Sequence, residues 1–364
     1  MKRALQRIIL FGLIIYSTFA TTSTSLQVGS ICLGILGLIP LFFLDYKRLK
    51  GIPFNLPILC FIIALILSSL FSQSPMASLL KTESIARKIL VYYLVTIGVS
   101  ESKWAKRLIY LTLIGAGIGA IYTFAIEAFH LSEKRLSFNR SLGGACGMLV
   151  PLGICMCFIA SLKVQRIGFS VISFFLLILL LLTSTRGAYF GVIIAIIFMS
   201  LWEKRVLLFL LIFLLFSFIL PINQRLIQTS NPNYFPNLER IYIWKEGLEI
   251  IKDNPLFGIG PAGIETIYKG NRQIRHYHNN FLEIGVKGGL LSLSAFIWLL
   301  VAIIRFCFKA LKNEEHFVLK FGLCASLIDW LVHSLVDTTY VGNLGYLFWF
   351  LLGLFVVINR ENGA

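Results

Sequence analysis

Two histidines one residue apart occur in the run His276-Tyr277-His278-Asn279-Asn280. Histidine is the side chain whose ordinary pKa suits proton transfer near neutral pH. Three roles are open to the pair: general base, hydrogen-bonding scaffold and metal ligand. Metal is the weakest reading, because no cysteine and no convincing third ligand lies nearby in the sequence. Both His276 and His278 are candidates for the base, His276 also for substrate binding, and Glu283, a few residues on, is the rival base.

Arginines make up the second chemical group. Arg186 lies in Thr183-Ser184-Thr185-Arg186-Gly187-Ala188, a short turn between two apolar runs with no carboxylate in it. An arginine there is costly unless it reaches the interface or pairs with an anion, so snorkelling and anion binding are its two readings. Arg240 opens a stretch, Leu238 to Ile251, whose apolar residues Ile241, Trp244, Leu248 and Ile251 recur every three or four positions. That spacing predicts an amphipathic helix lying on the membrane or on a helix bundle, ended by Asp253-Asn254-Pro255. A cation in a first turn opposes the helix dipole, and either Glu239 or a bound phosphate would compensate.

Two further patterns are read as structural. Gly258-Ile259-Gly260-Pro261-Ala262-Gly263 matches GxGxxG in form, but a dinucleotide fingerprint needs a strand before it, a helix after it and a βαβ unit around both. The stretch is expected to be a tight turn that lets backbones approach closely. His130, His316 and His333 read as loop or structural residues, and His333 with Asp337 as a pair four residues apart that supports the same face without catalysing.

The elements that must position these residues are apolar. The chain has 364 residues, 57% hydrophobic and 14% charged, where a soluble domain carries about 25% charged. With a mean hydropathy of +0.84 and repeated apolar runs, it reads as an all-α polytopic membrane protein and excludes a β-barrel. About twelve spans are expected. They begin near Ile8, Leu26, Phe54, Ile85, Leu108, Leu142, Ile167, Gly187, Val206, Gly285, Val318 and Gly342. With a cytoplasmic N-terminus, Lys and Arg cluster in the cytoplasmic loops at 45–50, 103–107, 163–166, 202–205 and 305–312, as the positive-inside bias requires. The formal net charge of +16 then needs no nucleic acid, and no basic stripe with interleaved aromatics suggests one.

Two outer segments break the charge bias, His130 to Arg140 and a long loop from about Ile222 to Ile284; binding an anionic substrate would account for both. The chain thus divides into N-terminal membrane helices (1–221, about nine), an extracytoplasmic catalytic loop (222–284) and C-terminal membrane helices (285–364, about three). Polar residues gather in the outer loops rather than at mid-membrane, which favours surface chemistry over a lipid-linked oligosaccharide flippase or transporter. The seven cysteines, an odd number scattered through apolar runs, offer no disulfide framework.

The combination of Arg240, Trp244 and Gly247, then Asn254-Pro255-Leu256-Phe257-Gly258-Ile259-Gly260-Pro261, then His276-Tyr277-His278-Asn279-Asn280-Phe281-Leu282-Glu283 with Gly285, Gly288, Gly289 and Leu290 resembles the O-antigen ligase/O-antigen polymerase family. The turn at Arg186 is similar to that family's arginine motif between two membrane helices. The resemblance implies a metal-independent, cofactor-free membrane glycosyltransferase of the helical, GT-C-like type in the bacterial inner membrane, with its site facing the periplasm. Its donor would be a glycan on undecaprenyl diphosphate, and its acceptor lipid A–core for a ligase or another carrier-linked glycan for a polymerase. It also implies His278 as the base and Arg186, Arg240 and Arg140 as diphosphate-binding residues, all working among membrane lipids.

Overall fold

Each of the twelve apolar stretches forms a helix in the computed structural model, which describes residues 1–44, 51–129, 140–183, 185–219, 235–266, 268–269, 272–273 and 276–360. In chain order these are α1 (Lys2–Phe19), α2 (Thr24–Leu44), α3 (Asn55–Leu70), α4 (Pro75–Gly98), α5 (Ser102–Phe129), α6 (Arg140–Ile159), α7 (Lys163–Leu182), α8 (Arg186–Ser200) and α9 (Leu207–Ile219). A more polar helix, α10 (Phe235–Asp253), follows, and after it α11 (Asn280–Leu311), α12 (Phe317–Ser334) and α13 (Gly342–Arg360). A short antiparallel pair, β1 (Tyr268–Lys269) and β2 (Arg272–Gln273), is the strand structure among the described residues. The expected basic loop 45–50, the outer segment 130–139, Ser184 and most of the irregular stretch 231–236 lie outside the described residues.

Among the described residues, six helices are long and apolar enough to cross a membrane, and three shorter apolar ones lie in α2, α3 and α8. α13 is apolar on nearly every face and buried along most of its length, as a helix without a polar side must be. α4 begins at Pro75, ten residues before the expected Ile85. Its first 14 residues carry Lys81, Glu83, Arg87 and Lys88, which lower the hydropathy there without breaking the helix. Pro75 suits a first helical turn, and the polar side chains find local partners: Thr82 meets Ser69 at 2.8 Å and Arg87 pairs with Glu83 at 3.0 Å.

Polar groups are therefore not confined to the loops, contrary to the expectation from sequence. Lys88, Glu283, Lys287, Lys320 and Asp329 are all buried within helices. Single charges disappear in an apolar window average, which is why hydropathy did not show them.

The turns after α7 and α12, the N-termini of α6, α8 and α11, and the turn between α3 and α4 meet at one end of the bundle. The glycine-rich turn is part of that end. α11 is broken at Gly289, whose φ of 63° is a left-handed conformation. The break withholds the Leu290 and Leu291 N–H groups from their normal helical acceptors, and both donate instead to the carbonyls of Pro255 (2.7 Å) and Leu256 (3.4 Å). The carbonyls so released, of Val286 and Lys287, accept from the N–H groups of Ile259 (3.0 Å) and Gly260 (2.9 Å). Four backbone groups are thus re-satisfied by one turn, as buried irregular backbone requires. A Cβ on Gly258 would stand 2.4 Å from the Val286 carbonyl, and one on Gly289 2.3 Å from that of Leu256. Gly258 serves this docking and Gly260 lets the turn pack on Ser72, so the expected tight turn is present.

α10 ends at Asp253 as expected, but its buried face differs from the one its apolar spacing suggested. Ile241 and Leu248 are exposed, while Ile243 and Gly247 face inward. Gly247 wins that place because the Tyr277 ring occupies it: a Cβ there would stand 2.7 Å from the ring. The inward face is still apolar, since Ile243, Ile250 and Ile251 pack with Tyr277 and Val286, and Gly247 completes it by its small size.

Candidate active site

The histidine run is fixed from both sides before any side chain does chemistry. The Trp244 indole N–H on α10 donates to the Tyr277 carbonyl at 2.8 Å, and the Tyr277 N–H donates to Glu283 Oε2 at 3.1 Å. Asn279 caps α11 by accepting the Leu282 N–H at 2.9 Å, while its Nδ2 donates to the Leu335 carbonyl at 2.9 Å. Asn280 pairs with Thr339 through two bonds, donating to Oγ1 at 2.9 Å and accepting its N–H at 2.8 Å. This lattice holds His278 at φ 51°, a left-handed conformation that is uncommon for a residue other than glycine. Such strain persists only where the surroundings over-determine it, and it marks functional turns.

The imidazole of His278 meets a carboxylate 59 positions along the chain. Its Nδ1 lies 2.9 Å from Asp337 Oδ1, with the two side chains 34% and 28% exposed. Burial pushes the Asp337 carboxyl up, but the hydrogen bond from His278 and the nearby imidazole of His333 outweigh it and hold the group well below the usual carboxylate range. An ionised Asp337 can only accept, so it selects the tautomer with the proton on Nδ1 and leaves the lone pair on Nε2. The geometry is that of an imidazole prepared to take a proton at Nε2.

His276 takes a different partner. Its Nδ1 is 3.2 Å from Glu283 Oε1. Glu283, fully buried, also accepts from Lys287 Nζ at 2.6 Å, from the Tyr277 N–H at 3.1 Å and from Thr338 Oγ1 at 2.7 Å. Lys287 in turn reaches the Tyr340 hydroxyl at 2.9 Å. A carboxylate so enclosed and saturated has no lone pair to offer a substrate, so the rival base becomes the post to which the histidine turn is tied. Truncating Lys287 to alanine would strand that buried charge. The expected loss of stability is about 3–5 kcal/mol, checked by thermal unfolding of the purified protein in detergent.

Arg186 is the first residue of α8, and its neighbour Gly187 packs directly on His333, where a Cβ would come within 2.5 Å of Cδ2. His333 Nε2 is 3.8 Å from Asp337 Oδ2. Arg186 and His278 therefore flank one shared pair, His333 and Asp337. Arg140 opens α6, and its side chain lies outside the described ones, but the following turn returns to the same place. Gly143 abuts Thr183 and Thr185, and Gly144 abuts His333. The N-termini of α6 and α8 thus converge there, adding two positive dipole ends to the arginines. Arg240 is on α10 one turn before Trp244, whose indole holds the His278 turn. Among the described residues no three His, Cys, Asp or Glu side chains gather as a metal ligand set.

Asp337 is the residue that sequence reasoning missed as a partner of His278. It was paired only with His333, and that contact is present at 3.8 Å. The available signal was the polar turn Asp337-Thr338-Thr339-Tyr340 between two apolar helices, every member of which bonds the 276–287 segment or its neighbours.

Comparison with known proteins bears on this same stretch. Residues 171–297 match the model of the O-antigen ligase family. The exopolysaccharide production protein ExoQ of Rhizobium meliloti (strain 1021) is 28% identical over 142 residues, 34% of this chain and 32% of that protein. The ComP-specific O-oligosaccharyltransferase of Acinetobacter baylyi is 26% identical over 203 residues, 49% of this chain and 36% of that protein. The matches thus span about a third of the length of these relatives. The family segment runs from the middle of α7 through Arg186, Arg240 and His278 to the middle of α11, and across it this chain is similar to the O-antigen ligase family.

Proposed function

We propose that the protein is an O-antigen ligase, transferring a glycan from undecaprenyl diphosphate to a lipid A–core acceptor at the periplasmic face of the bacterial inner membrane. The observation that carries this reading is the His278–Asp337 pair, set at the bundle end where Arg186 also arrives. His278 Nε2 takes the proton of the acceptor hydroxyl as that oxygen attacks the anomeric carbon. The diphosphate leaves with the bonding electrons, and Arg186 and Arg240, with Arg140, stabilise the charge that gathers on its oxygens through paired N–H bonds. His276 lines the acceptor side. The reading is metal-independent, since guanidinium groups and two helix N-termini supply the positive field.

Undecaprenyl diphosphate presents its head group at the membrane surface while its chain stays in lipid, which suits a site at one end of an apolar bundle. A polymerase of the same family would use the same chemistry with a carrier-linked glycan as acceptor, and the relationship to a protein named for exopolysaccharide production favours keeping it as the second reading. The lipopolysaccharide profile of a deletion strain separates the two. Uncapped core with carrier-linked polymer accumulating is the result expected of a ligase. Core capped by single short units is the polymerase result and would overturn the ligase assignment.

A further inference from the structure

Behind Asp337 stands a second histidine that the proposed reaction does not use. His333, on the last turn of α12, is 2% exposed, and its Nε2 has no hydrogen-bond partner closer than the 3.8 Å contact with Asp337 Oδ2. Its ring is seated between two helices by glycines. A Cβ on Gly144 of α6 would stand 3.0 Å from Cε1, and one on Gly187 of α8 2.5 Å from Cδ2 and 3.0 Å from Nε2. One turn deeper the same pattern repeats: Asp329 is fully buried against Gly147 of α6 and Gly191 of α8. Both helices thus carry glycine every three or four residues where α12 carries a polar side chain, which lets three backbones close on a polar seam. The seam ends upward at Asp337 and His278, and the two helices that form its walls open with Arg140 and Arg186.

We infer that His333 is a positioning residue for the transfer proposed above, holding the second oxygen of Asp337 so that the first is aimed at His278 Nδ1. This rests on His278 being the base. His333 touches neither substrate, so its contribution passes through Asp337. A carboxylate bonded at one oxygen only can rotate about χ2; a partner at each oxygen fixes the plane, and with it the direction of the His278 ring. Asp337 Oδ1 also accepts the Thr338 N–H at 2.8 Å, whereas the 3.8 Å approach of the His333 imidazole is the contact at the other oxygen.

The test uses the full-length protein in proteoliposomes, with carrier-linked glycan extracted from the deletion strain as donor and undecaprenyl diphosphate alone as the binding probe. His333→Ala is expected to lower kcat about ten- to a hundredfold, the usual size for a partner that orients a functional imidazole, with KM and undecaprenyl diphosphate affinity unchanged. His333→Gln, which can still place a nitrogen toward Asp337, should recover most of that loss. His333→Phe, which fills the glycine notches but offers no nitrogen, should not. The comparison of Gln with Phe decides the matter even where the alanine variant fails to fold. Wild-type kcat in His333→Phe, a loss in which KM and affinity move together with kcat, or a glutamine variant no better than phenylalanine would each overturn the inference. Activity abolished in His278→Ala but intact in the His333 variants removes this inference alone, whereas full activity in His278→Ala removes the reading of the base beneath it.

Discussion

Replacing His278 with alanine is expected to lower the rate of glycan transfer by about 10²–10⁴-fold, the range a positioned general base supplies, while undecaprenyl diphosphate still binds. The side chain is one-third exposed, and the turn that carries it is held by Trp244, Asn279 and Asn280, none of whose bonds involves the imidazole. Folding should therefore survive, and thermal unfolding in detergent checks that it does. Asp337→Asn sharpens the test. The amide keeps the shape of the carboxylate, but its nitrogen can donate to His278 Nδ1 and stabilise the tautomer that has its proton on Nε2. That tautomer has no lone pair where the substrate needs one, and a tautomer reversed in this way lowers turnover about 10⁴-fold in the Asp–His pair of a serine protease. A decline in Asp337→Asn close to that of His278→Ala is thus expected. Near-normal turnover in either variant would show that the proton leaves by another route.

The value of Asp337 was hidden from the sequence for a plain reason. His278 and Asp337 are separated by the whole of α11 and α12, and nothing in the spacing says that two helices of unequal length return the chain to the same point. The twelve apolar stretches were legible because burial in lipid needs long runs, which a window average detects. The same averaging erased Lys88 and Lys287, whose cost is met by a pair of contacts each: Lys88 by the Ser84 carbonyl and hydroxyl, Lys287 by Glu283 and the Tyr340 hydroxyl. The histidine run announced its chemistry by residue type alone, yet of its two rings only His278 was given an Asp partner with an open side. Glu283 looked available until its five donors, from His276, Tyr277, Lys287, Thr338 and Tyr340, were counted. The Gly258–Gly263 stretch could be denied a nucleotide from its context, but its real task, repairing the break at Gly289, needed both backbones in view.

Replacing Arg186 with lysine is expected to impair transfer although it conserves the charge. The leaving diphosphate presents oxygens in pairs, and a guanidinium meets two of them in one plane, where an ammonium is a rotating point charge with stronger hydration to lose. Removing a donor that stabilises developing charge costs about 10²–10³-fold in turnover. Arg186→Ala should fall in that range, and Arg186→Lys should recover only part of it, leaving a deficit of roughly tenfold or about 1.4 kcal/mol in the barrier. The placement of Arg186 at the start of α8 makes lysine a fair comparison, since either side chain begins from a backbone fixed by Gly187 against His333. Arg240 stands on α10, which is anchored through Trp244, so the corresponding Arg240→Lys change asks the same question of a second element. Turnover and undecaprenyl diphosphate affinity measured on all three variants distinguish the roles. A loss in kcat with little change in affinity means the guanidinium acts on the departing diphosphate, because an interaction made mainly in the transition state leaves ground-state binding intact. Normal turnover in both lysine variants would be incompatible with a paired arginine clamp on the diphosphate.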